Sequence, residues 1–247
     1  MNESTIKKEW FADWFNTKYY HILYQDRNDE EAQLFMQNLL NFLRLHKDAS
    51  ILDLACGRGR HSVYLNSLGY EVTGVDLSPN SIAYAKQFEE DNLHFSIHDM
   101  REPFANTYNA IFNLFTSFGY FDDDITNIKV LSNIKNGLKK GGVAVIDFLN
   151  IKTVIKNLKP TDVIIKNGIQ FNITRNIINN KIIKDINFQV DNTDYHYTEK
   201  VQCLTLETIE TYMDKAGLEL KHVFGDYNLH EFNVEKSNRL ILIVNKK

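Results

Sequence analysis

The chain has 247 residues, of which 43% are hydrophobic and 24% charged, enough for one substantial core or one domain with an insertion. A net charge of -4 argues against bulk electrostatic binding of nucleic acid. Two cysteines, Cys56 and Cys203, with no CxxC spacing, give neither a disulfide framework nor a zinc site. The polar N-terminus lacks an apolar signal segment, and the longest apolar runs (Val143 to Ile146, Leu240 to Val244) are strand-length, so a cytoplasmic protein with no membrane partner and no metal is expected.

Residues 3 to 24 carry Trp10, Phe11, Trp14, Phe15, Tyr19, Tyr20 and Tyr24 at helical spacing, predicting an aromatic leading helix that packs on the body of the protein or closes a site. A second helix is predicted from about Asp29 to Leu45, with Ala32, Phe35, Met36, Leu39, Leu40 and Leu43 on one face. Ile51 to Leu54 reads as a buried strand that runs into Cys56-Gly57-Arg58-Gly59 and then a helix. A strand, a glycine turn and a helix form a unit that binds the polar part of a nucleotide-like cofactor.

Glu71 to Val75 is a second strand ending in Asp76, followed by a helix with Ser78 as N-cap and Pro79 at its first position. Leu93 to Ile97 is a third strand, ending at Asp99-Met100, and Tyr108 to Phe115 a fourth, ending at Thr116 to Phe121. A helix over Asp122 to Leu138, a turn at Lys140-Gly141-Gly142 and a strand over Val143 to Phe148 follow. This alternation predicts a parallel sheet with helices on both faces.

Residues 151 to 203 break the rhythm. Ile169, Phe171 and Ile173, then Ile186, Phe188 and Val190, then Tyr195, Tyr197 and Val201 show period-two alternation, with Asn167-Gly168 and Asn179-Asn180 at hairpin positions. An antiparallel insertion of three or four strands is predicted. Thr205 then N-caps a helix that ends at Gly217, and Leu218 to Phe224 and Arg239 to Asn245 are the last strands.

The glycine turn lacks the third glycine of a dinucleotide fingerprint. Asp53, at the end of the first strand, would repel a pyrophosphate but suits a cofactor with a cationic amine, such as methionine joined to adenosine. Asp76 stands where an acid accepts hydrogen bonds from ribose hydroxyls. Asp99 can receive the adenine amine, and the Met100 thioether can cover the ring. An NAD-dependent reductase is disfavoured by Asp53.

Taken together, Asp53-Leu54-Ala55-Cys56-Gly57-Arg58-Gly59, Val72 to Ser78, His98-Asp99-Met100-Arg101 and Lys140-Gly141-Gly142 resemble the motifs of class I S-adenosylmethionine-dependent methyltransferases, departing at Ala55. In the combination of Leu54-Ala55-Cys56-Gly57 and Gly59-Arg60-His61-Ser62, Asp99-Met100-Arg101 and Phe115-Thr116-Ser117-Phe118-Gly119-Tyr120-Phe121, the chain is similar to a small-molecule group that includes sugar amine N-methyltransferases. Those enzymes often carry histidine where this chain has Tyr120. The resemblance implies an α/β fold with a doubly wound, mostly parallel seven-stranded Rossmann-like sheet and an antiparallel β insertion after strand 5. It implies a cofactor-binding domain of residues 1–150 and 204–247 with an N-terminal helical lid, and a substrate cover at 151–203. It implies cofactor contacts from Tyr20, Asp53, Ala55, Gly57, Arg60, Asp76, Leu77, Asp99, Met100 and Phe115. Tyr120 and Tyr20 are the candidate catalytic groups.

The expected reaction is methyl transfer to a nitrogen or oxygen of a small molecule, leaving S-adenosylhomocysteine. The sulfonium already activates the methyl group, so the protein's work is mostly alignment. From Lys152 to Lys184 there are seven basic residues and one acid, Asp162, which admits an anionic acceptor as well as a solvated sheet face. An RNA methyltransferase and a non-catalytic cofactor-binding protein of the same fold are the alternative readings. The protein is expected to be a monomer or a homodimer.

Overall fold

The computed structural model describes residues 9–26 and 29–247. Its elements are α1 (Trp10–Trp14), α2 (Lys18–Leu23), α3 (Asp29–Leu43), β1 (Ser50–Leu54), α4 (Arg60–Ser67), β2 (Glu71–Asp76) and α5 (Pro79–Ala85). There follow β3 (Leu93–Ile97), β4 (Tyr108–Asn113), α6 (Asp124–Gly137), β5 (Leu138–Leu149) and α7 (Ile151–Lys156). The chain continues through β6 (Thr161–Lys166), β7 (Ile169–Ile178), β8 (Lys181–Val190), β9 (Thr193–Gln202), α8 (Leu206–Ala216), β10 (Leu218–Phe224) and β11 (Arg239–Lys246).

Residues 29–157 and 203–247 form one compact unit, and residues 9–26 and 158–202 form another. In the first, seven strands lie in the order β3-β2-β1-β4-β5-β11-β10. Strands β1 to β5 pair in parallel, and β11 runs antiparallel to both β5 and β10. All five residues of β1 are buried, as a central strand covered on both faces requires. The α3 side chains Phe35, Met36 and Leu39 share a core with Ile51, Val72, Phe112, Val145 and Ile241. Burial of each such side chain is worth about 1.5–3 kcal/mol. The strand order reverses between β1 and β4, so a crevice opens beyond their carboxyl ends.

The helix ends follow local chemistry. The Ser78 side chain accepts the Ser81 amide ahead of α5, with Pro79 at its first position, and Thr205 accepts the Thr208 amide ahead of α8. Gly217 closes α8 in the left-handed region at φ 78.

The second unit is a four-stranded antiparallel sheet, β6-β7-β8-β9, with α1 and α2 in the same unit. Trp14, Tyr19 and Leu23 are buried with Phe171, Ile173, Ile186 and Phe188. Glu199 accepts hydrogen bonds from Trp14 Nε1 at 2.8 Å and Tyr24 Oη at 2.7 Å, and it faces Lys184 at 3.3 Å. The two-residue turns at 167–168, 179–180 and 191–192 all have positive φ, the signature of type I′ hairpins.

The structure differs from the sequence reading at several points. The expected leading helix is two helices. Thr17 takes an extended conformation, its hydroxyl donates to the Trp14 carbonyl, and it caps α2 by accepting the Tyr20 amide at 3.1 Å. A threonine that bonds neighbouring backbone competes with helix continuation. Residues 3–8 of that expected helix lie outside the described residues. The strand β5 begins at Leu138, with Gly141 at φ 76 and a register shift between Tyr108 and Ala110 opposite. Helix α7 and the Asp191-Asn192 hairpin turn are further elements that the pattern did not reveal.

Candidate cofactor site

The strand β1 delivers Asp53 to the crevice with only 2% of its surface exposed. The Ser62 hydroxyl, on the first turn of α4, donates to its Oδ2 at 2.6 Å. Burial pushes the Asp53 carboxyl up to about 6; the Ser62 bond opposes the shift and the nearby Asp76 charge adds to it. Gly74 makes this approach possible: a Cβ there would sit 2.6 Å from the Phe95 ring and 2.8 Å from the Ser62 hydroxyl.

The chain then turns through Ala55 at φ 66, Gly57 at φ 57 and Gly59 at φ 82. The two glycines have different roles. A Cβ on Gly59 would lie 2.6 Å from the Phe95 ring, so this glycine serves helix–strand packing. A Cβ on Gly57 would meet nothing within 4 Å, so this residue borders open space. Ala55 stands in the left-handed region where the resembled motif has glycine, a strain of about 1–2 kcal/mol.

Asp76 ends β2, half-buried. Its Oδ2 accepts the Gly57 amide at 2.9 Å and its Oδ1 the Ser78 amide at 2.8 Å. One carboxylate therefore ties the glycine turn to the start of α5, beside half-buried Leu77. Burial raises its pKa, against the amides of Ser78, Gly57 and Leu77. Asp99, past β3, is gripped by Arg101, whose Nη2 reaches Oδ2 at 2.5 Å and whose Nε reaches Oδ1 at 2.9 Å. Burial pushes the Asp99 carboxyl up, but Arg101 outweighs it and holds it below the usual carboxylate range. The Arg101 guanidinium also lies 5.4 Å from the centre of the Phe121 ring. The Met100 carbonyl accepts the Asn133 side-chain amide at 3.0 Å.

The segment after β4 is conformationally strained, with Phe115 at φ 56 and Thr116 at φ 64. The Phe115 ring stacks on His61 at 4.8 Å and an interplanar angle of 3°, and the Arg60 guanidinium lies 5.3 Å from its centre. Arg60 also pairs with Asp29 at 3.1 Å. The Phe115 amide donates to Asp147 Oδ2 at 2.8 Å, and the Thr116 amide to the Asp147 carbonyl at 3.1 Å. The Tyr120 hydroxyl donates to the Thr116 carbonyl. Between β1 and β4, the Asn113 side-chain amide donates to the Leu54 carbonyl at 3.1 Å, while its buried Oδ1 has no partner among the described residues.

Asp53, Ala55, Gly57, Arg60, Asp76, Leu77, Asp99, Met100, Phe115 and Tyr120 thus all lie in the seven-stranded unit, at or just beyond the carboxyl ends of β1 to β4. Tyr20 belongs to the other unit, where its ring meets Phe15 at 4.8 Å and Tyr24 at 5.0 Å. Sequence reasoning missed Asp147, Arg239 and Tyr227, which surround the post-β4 segment. The available signal was an acid inside the apolar run Val143 to Phe148 and an arginine opening the apolar run Leu240 to Val244. No group of three or more His, Cys, Asp or Glu able to hold a metal occurs among the described residues.

The strand order, glycine turn and strand-end acids define a class I, Rossmann-like methyltransferase fold. A family model of the methyltransferase domain matches residues 45–217, and the chain belongs to that family. It is similar to a glycine N-methyltransferase of Oryctolagus cuniculus, 29% identical over 136 residues that cover 47% of this chain and 46% of the relative. Among solved structures, it resembles an S-adenosylmethionine-dependent methyltransferase from Clostridium acetobutylicum with a TM-score of 0.78 at 19% identity, covering 92% of this chain and 96% of that one. It also resembles a SAM-bound amino pentose methyltransferase from Micromonospora echinaspora, with a TM-score of 0.68 at 18% identity, covering 94% and 98%. The chain spans about half the length of the curated relatives it matches, 46% and 43% for two of them.

Proposed function

We propose that the protein transfers the methyl group of S-adenosylmethionine to a nitrogen or oxygen of a small molecule. The observation that carries this reading is the pairing of buried Asp53 with half-buried Asp76 around a glycine turn whose Gly57 borders open space. The residues fit that cofactor. Asp53 puts negative charge beneath the turn and would hold the cofactor's ammonium. Asp76 accepts the Gly57 amide on one oxygen and the Ser78 amide on the other, and a carboxylate's further lone pairs would accept ribose hydroxyls. Leu77, Asp99, Met100 and Phe115 would hold the adenine and the methionine chain. Arg60 stands at the first turn of α4, near the cofactor's carboxylate.

When bound, the cofactor supplies an electrophilic methyl group on a sulfonium, so the chain's own residues bind, orient and exclude water. Tyr120 is the candidate acceptor-side group. Its hydroxyl donates to the Thr116 carbonyl, so toward an amine or hydroxyl its oxygen would act as a hydrogen-bond acceptor. That arrangement orients a nucleophile rather than deprotonating it. Tyr20 is proposed to close the site from the N-terminal helices, and residues 151–203 to cover the substrate.

The basic run does not carry the anionic-acceptor reading. Lys152, Lys159, Lys166, Arg175 and Lys184 pair with Glu235, Asp162, Asp26, Asp162 and Glu199. Three of those four acids lie outside the run in sequence, so the count of bases along the chain overstates the local charge. The relatives that act on glycine and on an amino pentose support a small acceptor with an amine. Calorimetric titration with S-adenosylmethionine, followed by an acceptor screen read by S-adenosylhomocysteine release, tests the proposal. Release with a small amine or alcohol is expected. Turnover of RNA alone would replace this reading with the RNA methyltransferase one.

A further inference from the structure

We infer that Arg239, anchored by Asp147, is a positioning residue that sets the acceptor-side segment Thr116 to Tyr120 through the Thr116 hydroxyl. This rests on the reading of that segment as the part of the site that faces the acceptor.

Asp147 is fully buried at the end of β5, and Arg239 is 16% exposed at the start of β11. The strands place them together, since Arg239 pairs in register with Leu149, two residues from Asp147. The guanidinium uses two nitrogens on one carboxylate oxygen: Nε at 2.8 Å and Nη2 at 2.7 Å from Asp147 Oδ1. The same Nη2 donates to Thr116 Oγ1 at 2.8 Å. The other Asp147 oxygen accepts the Phe115 amide at 2.8 Å, and the Tyr227 hydroxyl stands 3.4 Å from it. The Asp147 carbonyl accepts the Thr116 amide at 3.1 Å.

Three of these bonds reach residues in the left-handed region, one at Phe115 and two at Thr116. Such conformations persist only where the surroundings over-determine them. Phe115 is fixed by Asp147 on its amide and by His61, Arg60 and Tyr227 around its ring. Thr116 is fixed at its amide by Asp147 and at its side chain by Arg239. Its carbonyl then receives Tyr120. The relay therefore runs from a buried ion pair, through one threonine, to the tyrosine hydroxyl. A buried pair used only for stability has no need of the third arm, because apolar side chains of similar volume would serve as well. A planar guanidinium holds a carboxylate and a hydroxyl in one fixed geometry, whereas a lysine's ammonium on a flexible stem does not fix their relative placement.

The test uses Thr116→Val, which keeps the shape and removes only the hydroxyl, together with Arg239→Lys and the double variant. The primary readout is amide hydrogen exchange across residues 115–121 in the cofactor-free protein, with Tm measured alongside. Each single variant is expected to speed exchange in that segment at least fivefold while leaving exchange in β1 and β11 unchanged. The double variant is expected to be no faster than the faster single, since both remove one interaction. Unchanged exchange in Thr116→Val, effects that multiply in the double variant, or acceleration that only tracks a fall in Tm would overturn the inference. Thr116→Val leaves the buried pair intact and carries the test by itself should Arg239→Lys not fold. Cofactor titration of the wild-type protein is read separately. A wild-type protein that binds no S-adenosylmethionine defeats the functional reading, while the exchange data still decide the relay.

Discussion

The Ser62 hydroxyl sits 2.6 Å from Asp53 Oδ2 in a place closed to solvent, and Ser62 and the Arg60 charge only partly offset the cost of burying the Asp53 carboxylate. The carboxyl accordingly titrates near 6, well above its ordinary 3.8, chiefly through burial. An ammonium brought near it favours the ionised form, so S-adenosylmethionine binding should release up to one proton at and below about pH 6 and little near neutral pH. Below pH 6 the site is protonated before binding, and affinity should fall by up to tenfold per pH unit. Calorimetry in buffers of different ionisation enthalpy measures that proton. Asp53→Asn should abolish the dependence.

Folding stability carries the same linkage with a definite sign. The folded form binds the extra proton between pH 3.8 and about 6, so Asp53's contribution is favourable at low pH and is lost as pH rises through that window. Two units correspond to about 3 kcal/mol. The stability of Asp53→Asn relative to wild type should therefore improve by up to about that amount between pH 4 and pH 7, as urea unfolding at the two pH values will show.

Asp76→Ala removes the acceptor of the Gly57 and Ser78 amides and, with it, the proposed partner of the ribose hydroxyls. Affinity for S-adenosylmethionine should fall at least about tenfold, since leaving partners unmet costs roughly 1–3 kcal/mol. Retained affinity in the folded variant contradicts the ribose assignment.

The two glycines of the turn should separate. Gly59→Ala drives a Cβ to 2.6 Å from Phe95 at a φ of 82, so Tm should fall sharply. Gly57→Ala meets no protein atom within 4 Å, so its stability loss should be limited to backbone strain of about 1–2 kcal/mol. Its larger effect should be on cofactor affinity, because the new methyl group projects into the open space.

Ala55→Gly should be neutral or stabilising by up to about 1 kcal/mol, unlike most alanine-to-glycine changes. Relief of strain at φ 66 offsets the greater freedom of glycine in the unfolded chain. Denaturant midpoints measure this directly.

Asp53, Gly57 and Asp76 were legible in the sequence because strand, turn and acid are adjacent along the chain and the turn chemistry is local. The caps at Ser78 and Thr205 and the stop at Gly217 were legible for the same reason. Asp147 and Arg239 were not, because they lie 92 residues apart and meet only through strand register. The local charge of the basic run was not legible because acids from distant segments, such as Asp26 against Lys166, stand beside its lysines. The break at Thr17 was hidden by continuous aromatic spacing on either side of one capping hydroxyl.

The most direct measurement is calorimetric titration of the wild-type protein with S-adenosylmethionine and, in parallel, with NAD. Saturable one-to-one binding of S-adenosylmethionine at micromolar concentration, with none of NAD, is the predicted result. No binding of S-adenosylmethionine at high micromolar concentration, or tighter binding of NAD, would contradict the account.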